Sequence, residues 1–257
     1  MDSFFTTLGF RWDGAALGKL PVHSVRRAVW RFNRMLPEFV WDAGVLEGNP
    51  FTFPEVQTLL DGVTVGGRKL SDQNQILNLI ASSKYLVSVV KSGEFSLDRA
   101  MFCTIQNMVA KEEALEWGMF RGEGKETAQI DVAQIDVAPI DVALGEYGRH
   151  VPLPTVPGAS ELICVFEAGR AVLETFENSF EKAAAFFLFG ALQQFFFDGN
   201  KRTSRFMMNG VLMSSGIDAI SVPAAKAQEF NEKMVRFYLS RDGTEMMHFL
   251  KDCHPTG

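Results

Sequence analysis

The chain has 257 residues, 47% of them apolar, including 23 Phe and 11 Met, so it can bury a sizeable core in one domain or a domain with an appendage. A net charge of −6 without a cluster of basic residues argues against binding along a nucleic-acid backbone. The most apolar stretch, residues 183–197, falls short of the roughly eighteen residues a membrane span needs and contains Gln193 and Gln194.

The N-terminus lacks a basic segment followed by an apolar run, so no signal peptide is expected. Cys103, Cys164 and Cys253 are isolated, with no C-x-x-C pair and no histidine at metal spacing. They read as free thiols in a soluble, cytoplasmic protein.

The pattern along the chain is mostly helical. Residues 25–36 suit a surface helix, with arginines on one face and Val29, Trp30, Phe32 and Leu36 elsewhere. Thr52 and Glu55 have capping-box spacing and open a short helix to Leu60, before a loop at Gly62, Gly66 and Gly67. Ser71 is expected to cap a long helix in which Ile76, Leu77, Leu79, Ile80, Leu86 and Val87 recur at helical spacing. Ser96, with Asp98 in the first turn, predicts another helix to about Leu115.

Between Gly118 and Gly158 the helical signal stops. The segment A-[QP]-I-D-V occurs three times there, from Ala128, Ala133 and Ala138. Three copies are too few for a solenoid, and an odd period swaps the sheet face of each Ile and Val from copy to copy. A lengthened hairpin or flap is expected. Helices resume near Ala159. Residues 180–196 and 202–215 are apolar nearly all round, as helices in the middle of a bundle are. Gly216 ends the second, and a last helical region, 224–250, is broken at Asp242-Gly243. One all-α domain spanning 1–257 is the simplest organisation: an N-terminal segment 1–70, a helical core 71–250 and a flap region 118–157.

Chemistry concentrates in the turn between the two buried helices. Gly199 permits a positive φ and Asn200 tolerates a left-handed one, so backbone N–H groups can converge on an anion. The next helix adds the positive end of its dipole, and Lys201, Arg202 and Arg205 add three cations. Asp198 supplies the oxygen ligand that a hard cation bridging phosphates needs. These parts suit a polyphosphate–Mg²⁺ site. The alternative is an ordinary helix–turn–helix joint with solvated basic residues. DNA binding through such a joint would expose the apolar helices and oppose the acidic charge.

The stretch QFFFDGNKRTSR, residues 194–205, resembles the Fic (Fido-fold) family motif H-x-F-x-[DE]-G-N-[GK]-R-x-x-R at every specified position except the first, where Gln194 replaces histidine. The resemblance extends over about residues 40–250. It includes TVPGASELICVFEAGRAVLE before the motif, RFMMNGVLMSSGIDAISV within and after it, and EGNPFTFPEVQTLLDGVTVGGRKL from Glu47, which is similar to the N-terminal segment of autoinhibited members.

The resemblance implies a Fic-type helical bundle with a short β-hairpin flap, and an adenylyltransferase (AMPylator) moving AMP from ATP to a protein hydroxyl. It gives Asp198 the Mg²⁺ and Gly199 and Asn200 the phosphate under attack. It gives Arg202 the outer phosphates, with Lys201 beside it, Arg205 the terminal one, and Phe196 the role of buried aromatic anchor. A target protein would dock on the flap, somewhere in residues 128–153, as an added strand. Glu47, in an [ST]-x-x-x-E-[GN] segment whose first position is Ala43, would pair with Arg205 and disfavour ATP.

An amide cannot replace the family's histidine as general base. Of His23, His150, His248 and His254, only His150, in the flap, has a position from which it could reach the site. A catalytically silent, nucleotide-binding regulatory or interaction module is therefore the alternative to a transferase. No nucleic-acid or membrane partner is expected, and an oligomer is compatible with the sequence.

Overall fold

The computed structural model describes residues 2–125 and 141–255. The N-terminal part holds α1 (Asp2–Leu8), α2 (Gly14–Leu17), α3 (Val25–Arg34), α4 (Leu36–Leu46) and α5 (Phe53–Leu60). Then come α6 (Leu70–Ser92), α7 (Arg99–Val109), α8 (Ser160–Glu174), α9 (Ser179–Gln193), α10 (Asn200–Ser214), α11 (Ala227–Ser240) and α12 (Thr244–Asp252). The architecture is all-α apart from one two-stranded antiparallel hairpin, β1 (Val142–Ala143) and β2 (Arg149–His150), among the described residues.

The pair α9–α10 forms the centre. Eleven of the fifteen residues of α9 are buried, from Phe180 to Leu192, and α10 is buried from Arg202 to Met213. They pack closely because Gly190 faces Ser204: a Cβ at Gly190 would lie 2.1 Å from the Ser204 hydroxyl oxygen. Around this pair Phe102, Phe120, Phe166, Phe186, Phe195 and Phe196 interlock, mostly edge to face, with centroids 4.7–6.4 Å apart. Phe196 is fully buried, as the motif resemblance implies.

Several boundaries differ from expectation, each for a local reason. The long helix starts at Leu70, with Lys69 rather than Ser71 at its cap. Asp98, not Ser96, caps α7: its carboxylate accepts from Met101 N at 2.8 Å, and Ser96 donates to that same carboxylate. α7 stops at Val109 instead of near Leu115, because Glu113 is drawn into an ion pair with α10. α9 ends at Gln193, and α10 begins at Asn200, so Asn200 is helical rather than left-handed. α3 and α4 split the 25–36 segment at Met35, and Trp30 points outward, 60% exposed, with Arg34 over its ring.

Other expectations match. Glu55 accepts from both the N–H and the hydroxyl of Thr52, at 2.7 and 2.8 Å. The hairpin pairs Val142 with His150 and Ala143 with Arg149. Of the AQIDV repeats, only the end of the third copy, Asp141 and Val142, is described; the rest lies outside the described residues. The cysteines are free, and burial pushes the Cys103 and Cys253 thiols up to about 12 and about 11. No described helix is long and apolar enough to cross a membrane.

Candidate nucleotide site

The turn between α9 and α10 is built by three side-chain devices. Gln194 closes α9 in the left-handed region, at φ 51° and ψ 60°, a conformation costly for a residue with a Cβ. Arg121 holds it there. This arginine is 1% exposed, and its Nε donates to the Gln194 carbonyl at 2.6 Å. The same guanidinium donates to Leu153 O (2.6 Å) and Thr155 Oγ1 (2.8 Å), tying the base of the flap to the turn. No ion pair to it is found among the described residues, and burial lowers it to about 10.

Asn200 is the second device. Its Nδ2 donates to Phe196 O (2.8 Å) and Gln194 Oε1 (3.0 Å), and its Oδ1 accepts from Phe196 N (2.9 Å). The side chain is spent on the turn, so only the Asn200 backbone faces the role the resemblance gives it. Gly199 is the third. Its φ of 76° favours glycine, and a Cβ there would sit 3.1 Å from Ala110 Cβ. Gln106 fixes the loop from α7, donating to Asp198 O at 3.0 Å.

The first helical bond of α10 runs from Thr203 N to Gly199 O (2.8 Å), which leaves the N–H groups of Asn200, Lys201 and Arg202 without an acceptor inside the helix. Asp198 is exposed and lies 3.5 Å from Arg202 Nη2. Lys201 is half-buried, whereas Arg202 and Arg205 are 3% and 6% exposed. The joint with solvated basic residues therefore does not describe the two arginines.

Two carboxylates from other elements meet them. Glu47, the C-cap of α4, lies 3.2 Å from Arg205 Nη2 and 3.8 Å from Arg202 Nε. Glu113, in the turn after α7, lies 2.6 Å from Arg202 Nη1. Burial pushes the Glu47 carboxyl up, but Arg205, Lys201 and Arg202 outweigh it and hold Glu47 below the usual carboxylate range. Three acids, Glu47, Glu113 and Asp198, thus face three cations, Lys201, Arg202 and Arg205. Even so, Arg202 Nε and Arg205 Nη1 are buried without a hydrogen-bond acceptor among the described residues.

The position of the missing base is also defined. Both ends of the Gln194 side chain are engaged: Oε1 accepts from Asn200, and Nε2 donates to Ala191 O at 2.6 Å. His150 does not stand in for it. Its Nε2 lies 2.7 Å from Leu192 O, which can only accept, so Nε2 carries the proton, and Nδ1 accepts from Arg241 Nη2 at 3.1 Å. No lone pair is left for a hydroxyl, and the ring stacks on Tyr238 as a packing group.

The sequence offered no signal for Glu113, Arg121 or Gln106, because each reaches the turn from a distant segment. Among the described residues no cluster of three His, Cys, Asp or Glu could hold a metal. A Mg²⁺ carried by phosphates asks less, one or two carboxylates, and the exposed Asp198 fits that donor set.

No family model matches the chain. It is 24% identical over 218 residues to the protein adenylyltransferase Fic of Drosophila grimshawi and 23% identical over 221 residues to that of Aedes aegypti. Each match covers 81% of this chain but only 39% and 38% of the relative, so the chain spans well under half the length of those proteins. Among solved structures it is similar to Fic-1 (residues 134–508) from C. elegans, at a TM-score of 0.66 and 16% identity, covering 98% of this chain and 68% of that one. A Fic domain containing signaling protein from Bacteroides thetaiotaomicron gives 0.67 at 16% identity, covering 98% and 91%. These likenesses show that the chain has the Fic fold and is similar in sequence to Fic proteins.

Proposed function

We propose that the α9–α10 turn binds the triphosphate of ATP and that this chain is a Fic-type protein adenylyltransferase whose transfer step is suppressed. The observation that carries this reading is the pair of orphaned donors, Arg202 Nε and Arg205 Nη1. Leaving a buried donor unsatisfied costs about 1–3 kcal/mol, more when it is charged, and phosphate oxygens would satisfy both. The N–H groups at the start of α10, which have no acceptor inside the helix, add the geometry of an anion site. The adenylyltransferase names of the relatives suggest ATP and a protein hydroxyl as the substrates.

In the proposed reaction the hydroxyl oxygen bonds to the α-phosphorus, the bond from that phosphorus to the bridging oxygen breaks, and pyrophosphate leaves. Asp198 would hold Mg²⁺, which supplies charge neutralisation on the phosphates. Gly199 and the backbone of Asn200 would position the α-phosphate, and Lys201, Arg202 and Arg205 the outer ones. The hydroxyl proton must pass to solvent water or to a phosphate oxygen, because the Gln194 carboxamide lacks a basic site. General-base catalysis typically contributes about 10²–10⁴-fold, so transfer is slow by that factor. Glu47 adds a second brake by occupying Arg205, where the terminal phosphate would sit. The flap, anchored through Arg121, would align the target segment.

A second reading has its own support. The Gln194 amide bonded at both ends is a completed structural staple, which favours a module that binds nucleotide without turning it over. Labelling with α-³²P-ATP and Mg²⁺ separates the two. The transferase reading expects weak labelling by the native chain, and strong labelling by Gln194→His in a Glu47→Gly background. Labelling absent from both, with ATP bound, leaves the silent module as the function.

A further inference from the structure

We propose that Glu113 is a second inhibitory acid, which keeps the nucleotide site closed at Arg202 even after Glu47 has moved away. The inference rests on the reading of the α9–α10 turn as a polyphosphate site. Glu113 makes the shortest ion pair that Arg202 has, 2.6 Å, against 3.5 Å to Asp198 and 3.8 Å to Glu47. Its carboxylate lies on the terminal nitrogen Nη1, one of the donors that a planar guanidinium offers to a phosphate. The Arg202 side chain is 3% exposed, so solvent does not screen this contact.

Glu113 is held in place by two side-chain amides. Gln75 Nε2 donates to its Oε2 and Asn78 Nδ2 to its Oε1, both at 3.2 Å, from one face of α6. The backbone is bent for the purpose: Glu112, beside it, has a φ of 62°, in the left-handed region that a residue with a Cβ enters at a cost. Glu112 itself is exposed and gains only a 4.0 Å contact with Lys111, so the benefit of the bend goes to Glu113.

The two acids are also wired together. Asn49, two residues beyond Glu47, donates through Nδ2 to Gln75 Oε1 at 2.9 Å, and Gln75 passes the contact on to Glu113. Arg202 closes the ring by touching both carboxylates. A ligand that reaches Arg205 alone, after Glu47 moves, still finds Arg202 neutralised. Full opening requires an anion with at least two phosphate groups, or release of both acids.

The test is ATP–Mg²⁺ affinity, measured by calorimetry on the full chain, for Glu47→Gly, Glu113→Gln and the double variant, with ligand-free melting temperatures. Glu113→Gln is expected to tighten ATP about tenfold in the Glu47→Gly background, within the range typical of coupled sites, while lowering the ligand-free melting temperature. A residue with only a structural role would lower the melting temperature without tightening the ligand. Gln75→Met, which keeps every charge, is expected to move affinity the same way by less.

An affinity of the double variant equal to or weaker than that of Glu47→Gly overturns the proposal but leaves the nucleotide site standing. Failure of both Glu47→Gly and the double variant to bind ATP overturns the nucleotide site itself, and this proposal with it.

Discussion

Gln194 accepts a hydrogen bond from the Asn200 amide at 3.0 Å, so the residue at the motif's histidine position is joined to the first residue of α10. The bond crosses the whole turn. Together with the Gln194 bond to Ala191 O, it converts the place of a proton acceptor into a structural joint.

Gln194→His is expected to raise AMP transfer by about 10²–10⁴-fold, the usual contribution of a general base. The backbone admits the change, because histidine is among the residues enriched at left-handed φ. Single-turnover labelling at saturating ATP measures it. Equal rates for the native chain and the variant would show that Gln194 does not limit the reaction.

Glu47→Gly should separate stability from ligand affinity. Removing one partner of a buried pair typically costs about 3–5 kcal/mol, because Arg205 is left buried and uncompensated. ATP then restores the anion, so the variant should melt lower than native without ligand and gain more from ATP–Mg²⁺. Thermal unfolding with and without nucleotide reads both quantities.

Gly199→Ala should weaken the turn for two reasons. A Cβ at φ 76° costs about 1–2 kcal/mol, and this one presses on Ala110 at 3.1 Å. Denaturant unfolding gives the loss. Gly48→Ala, also at positive φ but with open space around its Cβ, is the control for the conformational part alone.

Acid sensitivity follows from two buried histidines. Burial lowers His150 and His254 below their ordinary value near 6.5. As pH falls through about 6.5 the unfolded chain takes up protons that the native one refuses, so stability rises with pH and is lost on acidification. The loss runs from about 6.5 down to the native values. Melting temperatures at pH 7.5 and 5.5 should show it, and His150→Gln should flatten the slope.

The turn itself was legible in the sequence, because Gly199 and the three cations carry their physics locally: a positive φ and charge at a helix start. The Glu47–Arg205 contact followed the motif resemblance, and its 3.2 Å separation agrees with it. The end of α9 at Gln194 was not legible. Glutamine has no local preference for a left-handed φ, and Arg121, 73 positions away, holds it there. Glu113 was hidden for the same reason. Its stretch, AKEEALEW, continues a helical pattern, and the partners that draw the chain out of it are distant: Arg202, 89 positions away, and Gln75 and Asn78 on α6.

Calorimetric titration of Glu47→Gly with ATP–Mg²⁺, beside the same variant carrying Arg205→Met, tests the central claim most directly. The account predicts saturable one-to-one binding by the first and loss of at least tenfold in affinity in the second. Absence of any binding by Glu47→Gly, in a protein that still melts cooperatively, would contradict it.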